Sequence, residues 1–325
     1  MHVLVTGASG RVGRRVVALL RARGDTVTAF DRRPPAGGDA GVRVVTGSLE
    51  DAGAVADAMR DAEAVLHLGA YMSWLPAEAA AVYAANATGT FELLRAAAHA
   101  KVRRFVFAST GEVYPEVRPQ YLPVDEQHPR APQSVYGVSK LIGEELVAFF
   151  ARTQGLACVV LRFAHTQDAE ELLDPDSFFS GPRFYLHSKI AQQRAFGNAR
   201  AVAALEALDD GTRQHVIQCG EDGVPYRMMI ADARDIADGV VLALDAPAAV
   251  GATLNLGPDE PITFDEAVRV LQEVTGLRAV RARMPGPPVD YVTSNAQARE
   301  ILGFRPRWSF AAMVADAARR RSGLE

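Results

Sequence analysis

An α/β fold is what this sequence predicts: a doubly wound parallel sheet with helices on both faces, extended by a smaller, discontinuous C-terminal lobe. Three observations carry that expectation. Short apolar runs alternate with amphipathic stretches through about residue 164, the rhythm of a parallel sheet with crossover helices. The first run, Val3-Leu4-Val5, leads straight into Thr6-Gly7-Ala8-Ser9-Gly10-Arg11-Val12-Gly13 and then into the amphipathic Val16-Val17-Ala18-Leu19-Leu20. Strand, glycine turn and helix in that order form the phosphate-cradling unit of a dinucleotide-binding, Rossmann-type fold. The length of 325 residues suits one large α/β unit or two closely joined lobes.

Each element follows from its own residues. In the opening turn Gly7 permits the tight bend, Gly10 lets backbone approach a pyrophosphate, and Gly13 lets the helix of residues 11–23 pack on its strand. The N–H groups of that helix then face the phosphates. The second strand, residues 26–30, ends at Asp31. A carboxylate there accepts hydrogen bonds from both ribose hydroxyls and repels a 2′-phosphate, so the cofactor expected is NAD rather than NADP. Arg32 and Arg33 follow at once and can soften that preference; a plain turn role for Asp31 is the alternative. After a third strand at 42–45, Gly47-Ser48-Leu49-Glu50-Asp51 reads as an adenine-edge loop that caps a helix at 52–60. Strands follow at 64–68, 104–108 and 157–163, with helices at 79–99 and 134–152. Residues 165–213 break the rhythm with loop-like Asp168-Ala169-Glu170-Glu171, Asp174-Pro175-Asp176 and Ser180-Gly181-Pro182, before a helix near His187. Residues 216–218 and 235–244 are expected to rejoin the sheet as strand and helix. Thr263 and Glu266 are spaced as a capping box for a helix at 264–275, and two more helices follow a Pro-rich segment at 285–288. The domain expectation is therefore a nucleotide-binding domain at 1–164, rejoined at about 214–246, with a substrate lobe from 165–213 and 247–325.

Tyr136 and Lys140 carry the chemistry. The chain has only three lysines, Lys101, Lys140 and Lys189, against eight tyrosines, so a Tyr-x-x-x-Lys spacing is rarely met by chance. On a helix the two side chains share a face one turn apart. A lysine ammonium there favours the phenolate and lowers the tyrosine pKa toward working pH. An ordinary solvated helix face is the bland alternative for the pair alone.

Taken together, Thr6 to Gly13, Asp31, His67-Leu68-Gly69-Ala70, Asn86-Ala87-Thr88-Gly89-Thr90, Phe107-Ala108-Ser109-Thr110-Gly111-Glu112-Val113-Tyr114 and Tyr136-Gly137-Val138-Ser139-Lys140 resemble the extended short-chain dehydrogenase/reductase family, the NAD-dependent nucleotide-sugar epimerases and dehydratases. Looser matches at Ala233 to Ala237, Asn255-Leu256-Gly257 and Leu302 to Pro306 extend the resemblance over nearly the whole chain. It implies a triad of Thr110, Tyr136 and Lys140, with Thr110 bonding the reacting substrate oxygen and Ser109 a structural neighbour. It implies a cofactor cleft of Gly7, Ser9, Gly10, Arg11, Val12, Gly13, Asp31 and Arg32, continued by Ser48, Leu49, Leu68, Gly69, Ala70, Ala108 and Phe163. Tyr136 and Lys140 contact the cofactor too, and Asn86 supports the backbone near the nicotinamide. A homodimer is a further implication.

The same resemblance leaves the reaction open. Epimerases return the hydride to the other face of a ketone, dehydrogenases release NADH, and dehydratases or decarboxylases add proton transfer by carboxylates beside the threonine. Glu112 stands at the position of their base, but Gly111 supplies neither the acid nor the hydroxyl found next to it in those enzymes, so elimination is disfavoured. His165 replaces the usual asparagine after the strand ending at Phe163, and the Gly-Pro turn is missing. Arg227 lies one place from where a diphosphate-binding arginine is expected. Both departures put a nucleotide on the sugar in doubt. Tyr71, Ser73, Trp74, His165 and Arg227 are the substrate-contact expectations. The reading is an NAD-dependent epimerase or oxidoreductase acting on a sugar or nucleotide sugar, ahead of net dehydrogenation, of lyase chemistry through Glu112, and of a non-catalytic NAD sensor.

Composition bounds the partners. A net charge of −4 argues against nucleic acid or an anionic membrane surface. Cys158 and Cys219 lie far apart with no metal or redox spacing, so no metal is expected. Without a signal peptide or a long apolar run the chain reads as cytoplasmic.

Overall fold

A computed structural model describes residues 1–34 and 41–323. Its central sheet contains β1 (His2–Thr6), β2 (Thr26–Asp31), β3 (Val42–Thr46), β4 (Ala64–His67), β5 (Arg104–Thr110), β6 (Cys158–Phe163) and a final edge strand, Thr253–Leu256. In space the order runs Thr253–Leu256, β6, β5, β4, β1, β2, β3, and every pair is parallel. The winding direction reverses between β1 and β4, so a crevice opens at their carboxyl ends, the place where sheets of this kind bind ligands. This is the Rossmann-type architecture that the alternation of elements predicts.

Strand residues alternate between two cores because successive side chains point to opposite faces. Val3 and Val5 pack with Val16, Leu20, Ile236 and Val240, which come from α1 (Arg11–Ala22) and the helix Ala233–Asp245. Leu4 faces the other way, into a core with Phe30, Leu93, Phe105, Phe107 and Val147. That second face is covered by α2 (Ala52–Ala58), α4 (Gly89–Ala100) and α5 (Val135–Gln154). β4 and β5 are buried along their whole lengths, as central strands covered on both sides must be.

Three local expectations change. The stretch at 79–99 is not one helix: α3 (Ala79–Tyr83) passes into a widened π turn at Ala84–Thr88 before α4 begins. The wide turn sets Asn86 facing the strand end, where its amide accepts from Tyr71 N–H at 2.7 Å and donates to the Tyr71 carbonyl at 2.9 Å. The strand expected at 216–218, now His215–Cys219, does not rejoin the central sheet but pairs with Ala279–Arg283 in a separate two-stranded sheet. The crossover helix decides this: Ala233–Asp245 packs on α1 and so delivers the strand that follows it, Thr253–Leu256. Residues 165–213 are also more ordered than loop-like. His165–Gln167 pairs with Ile230–Asp232, a 3₁₀ turn spans Ala169–Leu173, and Ser180–Phe184 is a short helix. Gly181 and Pro182 sit in its first turn, where a missing N–H costs nothing. The capping box at Thr263 and Glu266 and the helix Phe264–Thr275 stand where the spacing puts them.

Candidate active site

The crevice begins with the glycine turn. Gly7 has φ +67°, and a Cβ on it would lie 2.7 Å from Gly69 backbone, a conformation and a contact that only glycine accepts. A Cβ on Gly13 would fall 2.0 Å from the Gly7 carbonyl, so α1 starts directly against the turn. Gly10 caps α1 with no side-chain acceptor, leaving N–H groups of the first turn open toward the crevice. Asp31, at the end of β2, accepts from Ser9 N–H at 3.0 Å and from Arg33 N–H at 3.3 Å. It stands where two cavities meet. One runs along Gly7, Gly10, Arg11, Val12 and Gly13, past Leu68 and Ala108, to Phe163. The other is lined by Arg32, Ser48, Leu49 and Tyr71, and Gly69 and Ala70 border both. A cradle closed to any Cβ, free helix N–H groups and an acidic residue at the junction fit an NAD molecule laid across the switch point.

Two residues expected to serve the cofactor, Ser9 and Asn86, line neither cavity. The Ser9 hydroxyl donates to the Arg33 carbonyl at 2.8 Å and ties the turn to the chain after β2. Asn86 is buried and fully engaged, since its amide also donates to Ser139 Oγ at 3.0 Å, so it fastens Tyr71 to α5. Beside it, buried His67 bridges Thr6 Oγ1 and Thr90 Oγ1 at 2.8 and 2.9 Å. Burial holds its pKa well below the usual imidazole range, with Lys140 acting in the same direction.

Thr110, Tyr136 and Lys140 line the first cavity together. Thr110 is the last residue of β5, and the other two lie on the opening turns of α5. Ser134 caps that helix by accepting from Gly137 N–H at 2.9 Å. A Cβ on Gly137 would lie 2.6 Å from the Glu112 carbonyl; glycine lets the helix start close enough to bring Tyr136 beside Thr110. Burial pushes the Tyr136 phenol above its ordinary value, Glu112 adds to this, and Thr110 works in the opposite direction. The expectation that Lys140 lowers this pKa is therefore not met in the protein alone. Burial has brought Lys140 itself down to about 7, against the pull of Glu144 one turn later, and its Nζ lies 4.4 Å over the Phe107 ring. Ser109 is buried and donates to Glu144 Oε1 at 2.5 Å. Glu144 in turn holds Arg162 at 2.7 Å, which anchors α5 to β6.

A second group of ionisable side chains faces the triad. Glu112 Oε2 accepts from Trp74 Nε1 at 2.9 Å and from Ser134 Oγ at 2.8 Å. Burial, with Glu116 next, lifts its pKa to about 7 despite those donors. Gly111 has a steric cause: a Cβ there would lie 1.6 Å from the Tyr291 hydroxyl, so a phenol from the C-terminal lobe fills the space a side chain would take. Glu116 Oε1 lies 3.0 Å from His165 Nε2 in an off-line contact, and Arg183 Nη2 donates to His165 Nδ1 at 2.8 Å. Because a guanidinium only donates, Nδ1 accepts and the imidazole proton lies on Nε2, toward Glu116. Burial and Arg183 both lower the His165 pKa, which keeps the ring neutral.

The expected substrate contacts divide. Trp74 lines an adjoining cavity with Glu112 and Glu116, edge-on to the Tyr136 ring at 6.0 Å and stacked on Phe178 at 5.7 Å. His165 borders both this cavity and that of the triad. Tyr71 belongs to the cavity beyond Asp31, with the Arg32 guanidinium 5.0 Å over its ring. Ser73 is buried, and its hydroxyl accepts from Leu75 N–H at 3.2 Å. Arg227 lines neither cavity of the site; it pairs with Asp290 at 2.7 Å near the surface. Strand alternation explains this, since Tyr226 and Met228 face the cavity and Arg227 between them points away. Glu116, Arg183, Lys189 and Tyr291 border the site without having been singled out in the sequence. The one local signal is the aromatic pair Phe178-Phe179 close before Arg183. Among the described residues no cluster of metal-ligating side chains occurs, and no helix is long and apolar enough to cross a membrane.

Residues 3–257 match the profile of the NAD dependent epimerase/dehydratase family. The chain belongs to this family. A short-chain dehydrogenase/reductase superfamily protein from Agrobacterium tumefaciens, solved with bound NAD, is 52% identical with a TM-score of 0.95, over 100% of this chain and 98% of that one. A UDP-glucose 4-epimerase from Azospirillum brasilense is 30% identical over 94% of this chain and 87% of its own length. An L-arabinose 1-dehydrogenase (NAD(P)(+)) from Haloferax volcanii is 34% identical over 53% of this chain and 69% of its own. As a member of the family the chain is an NAD-dependent enzyme.

Proposed function

We propose that this enzyme interconverts an alcohol and a ketone on a sugar or nucleotide sugar, and that it works as an epimerase. The observation that carries the reading is that Thr110, Tyr136 and Lys140 border one cavity with the glycine turn. NAD, when bound, supplies the hydride acceptor. Gly7, Gly10, Gly13 and Asp31 hold it, with Lys140 on its ribose. Tyr136 takes the proton of the substrate hydroxyl as the carbon gives up its hydride, and Thr110 donates a hydrogen bond to the same oxygen. Lys140 must carry its charge for the phenolate to form, so it acts as Tyr136's partner only once its own surroundings favour the ammonium. Residues 1–164 and the returning elements hold the cofactor in this reading. The second lobe, from 165–213, His215–Cys219 and the chain after the edge strand Thr253–Leu256, supplies His165, Arg183 and Tyr291 to the substrate.

Net dehydrogenation is a second reading, favoured by the likeness to the L-arabinose 1-dehydrogenase. One experiment decides between them: assay the purified protein for retained cofactor with a panel of free sugars and nucleotide sugars. Isomerised product with tightly held NAD supports the epimerase; accumulating NADH with free exchange supports the dehydrogenase. Bound NAD with no turnover across the panel removes both.

A further inference from the structure

Buried polar groups are nearly always paired, so a gathering of unpaired ones asks for a ligand. Arg183 Nη1 and Tyr291 Oη are buried side-chain atoms with no hydrogen-bond partner among the described residues, and Glu116 Oε1 and His165 Nε2 have only each other, 3.0 Å apart and poorly aligned. All four residues border the cavity that holds Thr110 and Tyr136. They come from four separate parts of the chain, and none is needed for the proton transfer assigned to the triad. His165 is already committed through Nδ1 to Arg183, which fixes the guanidinium and leaves its other nitrogen, Nη1, free to donate.

We propose that Arg183, Glu116 and Tyr291 form a subsite for neutral sugar hydroxyls next to the carbon that reacts, an assignment that rests on the sugar reading above. The chemistry of the set favours hydroxyls over a carboxylate. A hydroxyl both accepts and donates, so one group can take the Arg183 Nη1–H and give its own proton to Glu116 Oε1. Tyr291 supplies a second hydroxyl partner. A carboxylate could use Arg183 and Tyr291 but would face the Glu116 carboxylate, whose pKa is lowered, against the effect of burial, by its neighbours His165 and Arg183. The cation and anion also balance within the subsite, so a neutral ligand leaves no buried charge unmatched. Phe179, with the Arg183 guanidinium 5.3 Å from its ring centre, holds the arginine side chain at the cavity wall.

Binding, rather than turnover, tests the subsite, so its fate is separate from that of the catalytic reading. NAD-saturated wild-type protein, Arg183→Gln and Glu116→Gln are titrated by calorimetry with D-galactose, D-galacturonate, UDP-galactose and UDP-galacturonate. NAD affinity is measured in each variant as the check on folding, and Arg183→Lys replaces Arg183→Gln if that check is lost. The expected result is that a neutral probe binds at least as tightly as its uronate counterpart, and that each variant weakens it about tenfold or more. Uronates that bind tenfold more tightly than neutral probes, and more tightly still in Glu116→Gln, would overturn the proposal in favour of a carboxylate site. Unchanged affinity in both variants overturns it too, as does the absence of binding by all four probes. Binding without isomerisation or NADH formation leaves the subsite standing and removes only the catalytic reading.

Discussion

At the residue scale, Tyr136 and Glu112 pull on one another. Replacing Tyr136 with Phe keeps the ring against Trp74 and removes the proton acceptor. Turnover should fall by about 10²-fold or more while NAD binding persists; near wild-type turnover would sink the assignment. The Glu112 carboxylate is the charged group that raises the Tyr136 pKa. Glu112→Gln removes that charge, so the phenol should lose its proton at lower pH. The acidic limb of the kcat/KM profile should then move to lower pH, with the loss in turnover small if chemistry ends at hydride transfer. A loss of about 10²-fold with accumulated NADH would instead make Glu112 a base in an elimination. Cofactor choice is expected to turn on Asp31. Its carboxylate lies at the junction of the two cavities, where a 2′-phosphate would meet it, so NAD should bind at least about tenfold more tightly than NADP, roughly 1.4 kcal/mol. Equal affinities in a titration would mean that Arg32, exposed and beside Tyr71, neutralises the effect.

At the element scale, α5 is the part that makes a site out of separate residues. Tyr136, Lys140 and Glu144 repeat every four residues along its buried face, and the first two are legible in the sequence because that spacing is local. The approach distance is not, since it depends on what Gly137 and Gly143 meet. A Cβ on Gly143 would lie 2.5 Å from the Phe107 ring, so both glycines keep the helix tight against β5 and the turn after it. Gly137→Ala sets a gain in helix propensity of about 1 kcal/mol against a clash with fixed backbone, worth about 1–3 kcal/mol. The clash should win. The first turn of α5 is then pushed outward, and kcat should fall about tenfold or more with only a modest drop in Tm. Unchanged kcat would show that the helix start is less constrained than the 2.6 Å approach implies.

Across the whole molecule, what is legible in the sequence is what lies close together along it: the glycine turn, Asp31, the Tyr–Lys pair and the alternation that builds the sheet. Glu116, Arg183 and Tyr291 are far apart in the chain, and only tertiary packing makes them neighbours. The same holds for the join between the lobes, where Arg11 pairs with Glu171 and both Arg14 and Arg15 pair with Asp168. Those contacts fasten α1, which starts at the glycine turn, to the segment that leads on to Arg183, and no local pattern announces them. Burial of histidines is another property of the assembled molecule, and it gives a pH dependence. His67, His165 and His215 all have folded pKa values below the ordinary 6.5, with burial the first cause in each. As pH falls below about 6.5 the unfolded chain takes up these protons and the folded protein does not, so stability is lost. Glu112 works the other way: its folded pKa of about 7 exceeds its unfolded value, so between 7 and about 4.5 the folded state holds the extra proton. Glu126 and Asp235 are raised too, but from ordinary values of 4.5 and 3.8 that lie below this interval, so the three depressed imidazoles dominate from pH 7 to 5.5. Each unmatched proton contributes at most about 1.4 kcal/mol per pH unit. Urea unfolding of the cofactor-free protein should therefore show stability declining from pH 7 to 5.5, and His215→Gln, which keeps a polar side chain beside Thr275, should flatten the slope. A stability that holds constant or rises over that interval would mean that the buried imidazoles take up protons without leaving their hydrogen bonds.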